Sequence, residues 1–241
     1  MHSKLTTLLL QREKAVLSGL SYPFITQLRF LRLSLAHHPA YPRIRNLFKS
    51  PEPAHKLLDV GTALGQDVRK LLYDGVPATS IAGLELDPRF IDLGYDLFLD
   101  RSKLEAQGLQ WLFGDLLVLP QSHPSLLNAF NIINTSSLLH LFPLEKQHAL
   151  CRAFVSLLRP EQGSTIVGWS IGSPIPMDYF DFTNFGLQHR HSVESFREMW
   201  ESVGRETGTE WKVEGSLREG GGEEAQGEEG YWVLEFEVVR I

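Results

Sequence analysis

Two kinds of hydrophobic spacing alternate along most of this chain. Near the N-terminus, apolar residues recur every three or four positions, which predicts helices over residues 4–18 and 24–36. From residue 56 onward, short apolar runs alternate with helical patterns. This alternation is typical of a parallel, doubly wound α/β sheet. The predicted strands are Lys56–Val60, Ser80–Glu85, Gln110–Phe113, Phe130–Asn134 and Thr165–Trp169, and the predicted helices are Gln66–Asp74, Arg89–Asp100, Leu144–Leu158 and Val193–Val203.

The last part of the chain departs from this alternation. Two β-patterned runs, Trp211–Leu217 and Tyr231–Val239, follow each other with no helix between them, so we expect an antiparallel hairpin. Their connection, residues 219–230, holds five glutamates and no basic residue, and it is interpreted as a mobile insertion in the hairpin. Residues 1–53 are expected to form a helical cover that belongs to the same domain as the α/β part, residues 54–241.

Composition and charge narrow the classes of function. The chain has 241 residues, 43% of them hydrophobic, which is enough to bury a substantial core. A net charge of −6 argues against nucleic acid as a partner, and no apolar run approaches the roughly 18 residues that cross a membrane. Residues 1–53 run against this balance, with eight basic and two acidic residues.

Cysteine usage is minimal. Cys151 is the single cysteine, so the chain has no intramolecular disulfide and lacks the thiolate clusters of zinc sites. No metal site is predicted, and we expect a cytoplasmic protein without a signal peptide.

Acidic and glycine residues stand where predicted strands end. Gly61 permits a tight turn after the first strand, and Gly65 opens a helix whose N-terminal N–H groups favour an anion. Glu85 ends the second strand 24 residues after Gly61, close to the spacing at which a carboxylate reaches ribose hydroxyls in nucleotide sites. Asp115 follows the third strand. Three acids therefore lie at the ends of successive strands, namely Asp59, Glu85 and Asp115. They favour a cationic or nucleoside ligand over a pyrophosphate.

Together these segments resemble class I S-adenosylmethionine-dependent methyltransferases, and in particular small fungal enzymes of polyketide and meroterpenoid biosynthesis. The resemblance extends from about residue 57 to the C-terminus. It rests on the loop Asp59-Val60-Gly61-Thr62-Ala63-Leu64-Gly65-Gln66-Asp67-Val68-Arg69-Lys70, on Gly83-Leu84-Glu85-Leu86, on residues 94–101, on Gly114-Asp115, on Ser137-Leu138-Leu139-His140-Leu141-Phe142, and on His191-Ser192-Val193-Glu194-Ser195-Phe196 with Trp200.

The resemblance implies a Rossmann-like, seven-stranded and mostly parallel sheet with a reversed last strand. It also implies S-adenosyl-L-methionine as cofactor. Ala63 stands where the family has the middle glycine of a Gly-x-Gly-x-Gly turn, and a negative φ would accommodate its methyl group. The cofactor contacts implied are Asp59, Gly61, Ala63, Gly65, Asp67, Glu85, Leu86, Asp115 and Leu116.

Candidate catalytic and substrate residues come from later segments. His140 follows the fourth strand and is the candidate general base, which a phenol needs and a carboxylate does not. His189, His191 and Tyr179 are candidate substrate contacts, and the aromatic run Met177–Phe185 is interpreted as a pocket wall or cap. The basic N-terminal segment, through Arg29, Arg32 and Arg43, is a candidate binding surface for an acidic substrate.

We therefore expect an O-methyltransferase that acts on a small secondary-metabolite carboxylate or phenol. The alternative is a methyltransferase-like protein that does not methylate, either a cyclase or isomerase or a partner of an active enzyme, and Ala63 keeps this alternative open. A binding module without a cofactor leaves the strand-end acids unexplained. The oligomeric state stays open, with a homodimer as one option.

Overall fold

A computed structural model describes residues 28–50, 54–181, 186–220 and 231–241 of the chain. The predicted helix over residues 4–18 and most of the acidic connection at 219–230 lie outside these residues. Phe182 and Phe185, at the end of the aromatic run, lie outside them as well.

Strands and helices alternate through the described residues, with a second hairpin inserted late in the chain. The strands are β1 Leu57–Val60, β2 Ile81–Glu85, β3 Gln110–Phe113, β4 Ile132–Asn134, β5 Thr165–Gly172, β6 Met177–Asp181, β7 Gly186–Arg190, β8 Trp211–Glu219 and β9 Trp232–Arg240. The helices are α1 Ser34–His37, α2 Tyr41–Leu47, α3 Gln66–Tyr73, α4 Pro88–Phe98, α5 Arg101–Ala106, α6 Leu119–Ser122, α7 Leu144–Leu157 and α8 Val193–Thr207, with short 3-10 turns at Arg29–Leu31, Ala78–Ser80, Pro124–Leu126 and Leu139–Leu141.

Seven of these strands form one sheet in the order β3-β2-β1-β4-β5-β9-β8. The first five run parallel, whereas β9 is antiparallel to both β5 and β8. The predicted mostly parallel sheet with a reversed last strand and a C-terminal hairpin is therefore confirmed. The order reverses between β1 and β4, and ligands in such sheets bind at the carboxyl ends of the strands beside this reversal.

The sheet is buried on both faces, as the nearly continuous apolar strands predict. Leu57 and Leu58 are both fully buried, yet they belong to separate clusters because successive side chains point to opposite faces. Leu58 packs in the cluster of α7 and α8 with Phe154 and Trp200. Leu57 packs with Leu35 and with residues of α2 and α3, so the described part of the N-terminal segment is built into the core.

The helix predicted over residues 24–36 is wrong in its described part. The chain forms a 3-10 turn at Arg29–Leu31, becomes extended at Arg32, and begins α1 only at Ser34. Phe30 and Leu35 explain the break, because they pack in different clusters, Phe30 beside the loop after β1 and Leu35 against α3. A continuous helix would hold these two side chains in a fixed relation that the two clusters do not allow.

One helix limit needs correction, and one hairpin was not predicted. The helix predicted to reach Asp100 ends at Phe98, because Leu99 adopts a left-handed conformation with φ of 54°, and α5 follows at once. The aromatic run that begins at Met177, interpreted as a pocket wall or cap, starts with strand β6, Met177–Asp181, which pairs with β7 in a separate antiparallel sheet. Exposed polar and aromatic side chains hide the alternation that marks a half-buried strand.

Candidate active site

The loop after β1 is held against the end of β2 by backbone hydrogen bonds. The N–H groups of Gly61 and Thr62 both donate to the carbonyl of Leu84, at 2.9 and 3.1 Å. Gly61 and Gly65 have φ of 69°, a region open to glycine. Ala63 also has a positive φ, 49°, so its methyl group lacks the negative φ that would accommodate it. A left-handed alanine costs about 1–2 kcal/mol, and the loop therefore stores some backbone strain.

Glu85 binds this loop from the carboxyl end of β2. Its Oε2 accepts from the N–H of Ala63 at 2.8 Å, and its Oε1 accepts from the N–H of Leu86 at 2.8 Å. Burial raises the pKa of Glu85, and hydrogen bonds from backbone N–H groups partly offset this by lowering it. A carboxylate has about four acceptor positions, so each oxygen keeps capacity for a ligand hydroxyl.

Asp115 lies beside Glu85 at the same edge of the sheet. The N–H of Gly114 donates to the backbone carbonyl of Glu85 at 3.1 Å, and exposed Asp115 turns its Oδ1 to the N–H of Leu117. Leu86 is 69% exposed next to these acids, whereas Leu116 is buried in the core. Carboxylates beside an exposed apolar surface fit a nucleoside, whose sugar is polar and whose base is flat and apolar.

The other two acids predicted to contact the cofactor are buried within the protein. Asp59 accepts from the hydroxyl of Thr62 at 2.5 Å and from the amide of Asn134 at 2.6 Å. Asp67 accepts from the N–H of Leu35 at 3.1 Å, which joins α1 to the start of α3. Burial raises the pKa of both carboxyl groups, and the charge of Asp59 raises the pKa of Asp67 further. The geometry gives Asp59 a role in shaping the loop and Asp67 a role in holding the cover.

His140 lies in the 3-10 turn after β4, with one ring nitrogen fully engaged. Its Nδ1 accepts from the N–H of Ile171 at 3.2 Å and lies 3.1 Å from the hydroxyl of Ser170. Because a backbone N–H can only donate, the neutral ring must carry its proton on Nε2. Burial, followed by the charges of Arg190 and Arg29, lowers the pKa of His140 to about 3.

The candidate substrate residues gather on or beside the β6–β7 hairpin. Tyr179 is 38% exposed, and the guanidinium of Arg190 lies over its ring at 4.1 Å. The rings of His189 and His191 lie 4.6 Å apart. Asp178 contacts Nδ1 of His189 at 2.8 Å, and His191 is buried. Burial lowers the pKa of His191 to about 3, with a smaller effect from the charge of His189.

Comparisons with known proteins give the chain a family. No family model matches it. It is 34% identical over 203 residues to O-methyltransferase phiE of a fungal species, a match that covers 82% of the chain and 65% of phiE. It is 36% identical over 197 residues to methyltransferase adrK of Penicillium roqueforti, covering 80% of the chain and 68% of adrK. The chain belongs to this fungal methyltransferase family. It spans about two thirds of the length of these curated relatives.

A solved structure shows the same fold for a more distant methyltransferase. The chain superposes on the 1,6-didemethyltoxoflavin-N1-methyltransferase of Burkholderia thailandensis with a TM-score of 0.63. Sequence identity is 12%, and the match covers 99% of this chain and 89% of the bacterial one. That structure contains S-adenosylhomocysteine and 1,6-didemethyltoxoflavin. At this identity the likeness concerns the fold alone.

Sequence reasoning missed an arginine that holds the loop after β1. The Nε and Nη2 atoms of Arg69 donate to the two carboxylate oxygens of Asp100 at 2.7 and 2.9 Å, and Nη1 donates to the carbonyl of Leu64 at 2.5 Å. Gly94 of α4 packs so closely that a Cβ there would stand 2.4 Å from the same carbonyl. Arg69, Gly94 and Asp100 all occur in segments that resemble the family, which was the available signal.

The basic N-terminal segment contributes less to the site than its charge predicts. Arg43 forms a salt bridge with Glu237 of β9, and Arg45 lies 3.9 Å from Asp74, so both are committed elsewhere. Arg29 differs, because its guanidinium lies over the ring of Tyr231 at 5.7 Å and its charge reaches His140. Of Arg29 and Arg43, two of the arginines proposed from sequence, Arg29 is the one whose charge acts on His140.

The described residues provide neither a metal site nor a membrane-spanning helix. They contain no cluster of three or more His, Cys, Asp or Glu side chains suited to hold a metal ion. Within the same residues, no helix combines the length and the apolar character needed to span a membrane.

Proposed function

We propose that the chain is an S-adenosylmethionine-dependent O-methyltransferase that acts on a small secondary-metabolite carboxylate or phenol, and that the carboxylate is the substrate class. Membership of the fungal family supports the reaction type. The choice of a carboxylate over a phenol rests on His140, which is neutral and can only donate a hydrogen bond to a ligand.

Cofactor binding is assigned to the edge formed by the loop after β1 and the ends of β2 and β3. With the cofactor bound, the two oxygens of Glu85 would accept from its sugar hydroxyls, Asp115 would accept from its base, and Leu86 would pack on the face of that base. S-adenosylmethionine, when bound there, supplies a methyl group already activated on a sulfonium. The protein then has to hold an acceptor oxygen in line with that methyl group, and such positioning is worth about 7–11 kcal/mol.

The acceptor follows from what His140 can do with a proton. A phenol with a pKa near 10 needs a base, but the Nδ1 lone pair of His140 is occupied by Ile171 and Nε2 carries the ring proton. A carboxylate with a pKa of about 4 is ionised at neutral pH without help. His140 then acts as a donor that orients the acceptor oxygen through Nε2–H.

Calorimetry with S-adenosylhomocysteine tests the cofactor site. Wild-type protein should bind it, and Glu85→Ala should bind at least about 100-fold more weakly, since two hydrogen bonds to a charged acceptor contribute roughly 1.5–3 kcal/mol each. Asp92→Asn is the matched control, because Asp92 is an exposed acid on α4 that pairs with Arg101. Absence of binding to the wild type would overturn the proposal.

Transfer of labelled methyl groups to fungal extracts tests the acceptor. Products should be methyl esters that alkali cleaves, and the rate should stay level from pH 8 to pH 6 because no base has to be deprotonated. Alkali-stable methyl ethers as the sole products would refute the carboxylate assignment.

One observation favours the non-methylating alternative of a cyclase, isomerase or partner protein. Ala63 adds a methyl group to a loop position with φ of 49°, where the family has glycine. Tight binding of S-adenosylhomocysteine without methyl transfer to any extract would support this alternative.

A further inference from the structure

Three cationic or hydrogen-donating groups converge at the carboxyl end of β5. His140 is joined to this end by the N–H of Ile171, at 3.2 Å. Arg190 ends β7 immediately before His191, whose carbonyl accepts from the N–H of Ser173, just beyond β5, at 2.9 Å. β7 also contacts the turn that carries His140, since the N–H of His189 donates to Phe142 at 3.0 Å.

Arg29 reaches the same place from the other end of the chain. Its guanidinium lies 5.7 Å from the ring of Tyr231, which directly precedes β9. β9 begins at Trp232, and Trp232 pairs with Gly172, the last residue of β5. The carboxyl end of β5 is thus shared by residues that are about 160 positions apart in sequence.

Both guanidinium groups lack a counter-ion among the residues that the structure describes. The Nε atoms of Arg29 and Arg190 are buried and have no hydrogen-bond partner there. Each group instead lies over an aromatic ring, Arg190 over Tyr179 at 4.1 Å and Arg29 over Tyr231 at 5.7 Å. A buried polar atom without a hydrogen-bond partner is costly, and two like charges repel each other.

The charges of both arginines act on the imidazole ring of His140. Arg190 and Arg29 both lower the pKa of His140, and burial is the largest cause of that shift. Their fields therefore overlap at the imidazole ring, where Nε2 carries a proton that it can donate. An anion at this point would neutralise two positive charges and accept a hydrogen bond from one N–H group.

We propose that Arg29, Arg190 and the Nε2–H of His140 form an anion-binding subsite that holds the carboxylate of the substrate. This deepens the proposed function, on which it rests, and names the groups that select the acceptor. Arg29 belongs to the described part of the N-terminal segment, so the cover forms one wall of the subsite. A neutral amide of the same shape would leave both guanidinium groups without a counter-ion and should bind poorly.

Benzoate and benzamide are the probes, titrated by calorimetry against the full chain with and without S-adenosylhomocysteine. Wild-type protein should bind benzoate at least tenfold more tightly than benzamide. Arg29→Gln and Arg190→Gln should each weaken benzoate about tenfold and leave benzamide unchanged, since charge-assisted hydrogen bonds are about twice as strong as neutral ones. Arg29→Lys and Arg190→Lys keep the charge and should recover most of the affinity.

Arg43→Gln is the matched control, because Arg43 belongs to the same basic segment but pairs with Glu237. It should bind both probes like the wild type. Equal affinity for benzoate and benzamide, no binding of benzoate, or full affinity in the Arg29→Gln and Arg190→Gln variants overturns the subsite. Such a result together with normal S-adenosylhomocysteine binding leaves the proposed function standing. Failure to bind S-adenosylhomocysteine refutes the proposed function instead, while the benzoate titration alone still decides the subsite.

Discussion

His140 should remain neutral in the folded protein far below the pH at which an ordinary histidine takes up a proton. Burial and the charges of Arg190 and Arg29 lower its pKa from 6.5 to about 3. In the unfolded chain the same ring becomes protonated as the pH falls through 6.5. The unfolded state therefore binds the additional proton, and the contribution of His140 to stability is lost as the pH falls from about 6.5 towards about 3.

The magnitude follows from the size of the shift. One proton bound only by the unfolded state changes the free energy of unfolding by about 1.4 kcal/mol per pH unit. Across the full interval the ceiling is about 5 kcal/mol. Buried acids with a raised pKa, such as Asp67, take up a proton in the folded state as the pH falls, which has the opposite effect on stability. The slope of the wild-type free energy of unfolding against pH therefore combines several groups. The difference between wild type and His140→Gln isolates the contribution of His140.

Urea unfolding at pH 7, 6, 5 and 4 measures this difference. The free energy of unfolding of the wild type should fall relative to His140→Gln by about 1.4 kcal/mol per pH unit below pH 6. His191→Gln should behave similarly, because burial lowers the pKa of His191 to about 3 as well. Nitrogen-15 NMR should show the proton on Nε2 of His140 throughout. Parallel stability curves, or a ring that titrates near pH 6.5, would refute both the shift and the donor role.

Three further changes test how the cofactor loop and the cover are held. Gly94→Ala places a Cβ 2.4 Å from the carbonyl of Leu64, and we expect about 1–3 kcal/mol lower stability in urea unfolding. Arg69→Lys removes the bidentate salt bridge to Asp100, and calorimetry should show weaker S-adenosylhomocysteine binding. Asp67→Asn keeps an acceptor but removes a buried charge, so urea unfolding should show unchanged or higher stability at pH 7 and less loss as the pH rises above 4.

Each of these changes has a control elsewhere in the chain. Gly215→Ala introduces a Cβ whose nearest contact is a side-chain carbon 3.4 Å away, and it should cost little. Arg101→Lys alters an exposed arginine, and Asp92→Asn an exposed acid. If Gly94→Ala is as stable as Gly215→Ala, the loop is not clamped as described. Equal S-adenosylhomocysteine binding in the two lysine variants contradicts the role of Arg69, and a marked loss of stability in Asp67→Asn contradicts the repulsion of buried acids.

Local patterns predicted most of the architecture because they depend on near neighbours. The strand over Gln110–Phe113 has the bounds that its β-type composition predicts, and α7 ends one residue from its predicted limit. Gly61, Gly65 and Glu85 were recognisable as a group because parallel strands bring their carboxyl ends to one edge. The break in the N-terminal helix was not predictable, since it depends on where Phe30 and Leu35 pack in the finished fold.

The chemistry of the site divides in the same way. By itself the sequence determined the parallel sheet, the C-terminal hairpin, the glycine-containing loop after β1 and the presence of His140 after β4, because spacing and residue type carry that information. Only the tertiary structure decided that His140 is a donor, since this depends on the N–H of Ile171, 31 residues away. It alone also placed Arg29 and Arg190 at one strand end, because contacts between distant residues arise from packing and leave no local pattern in the chain.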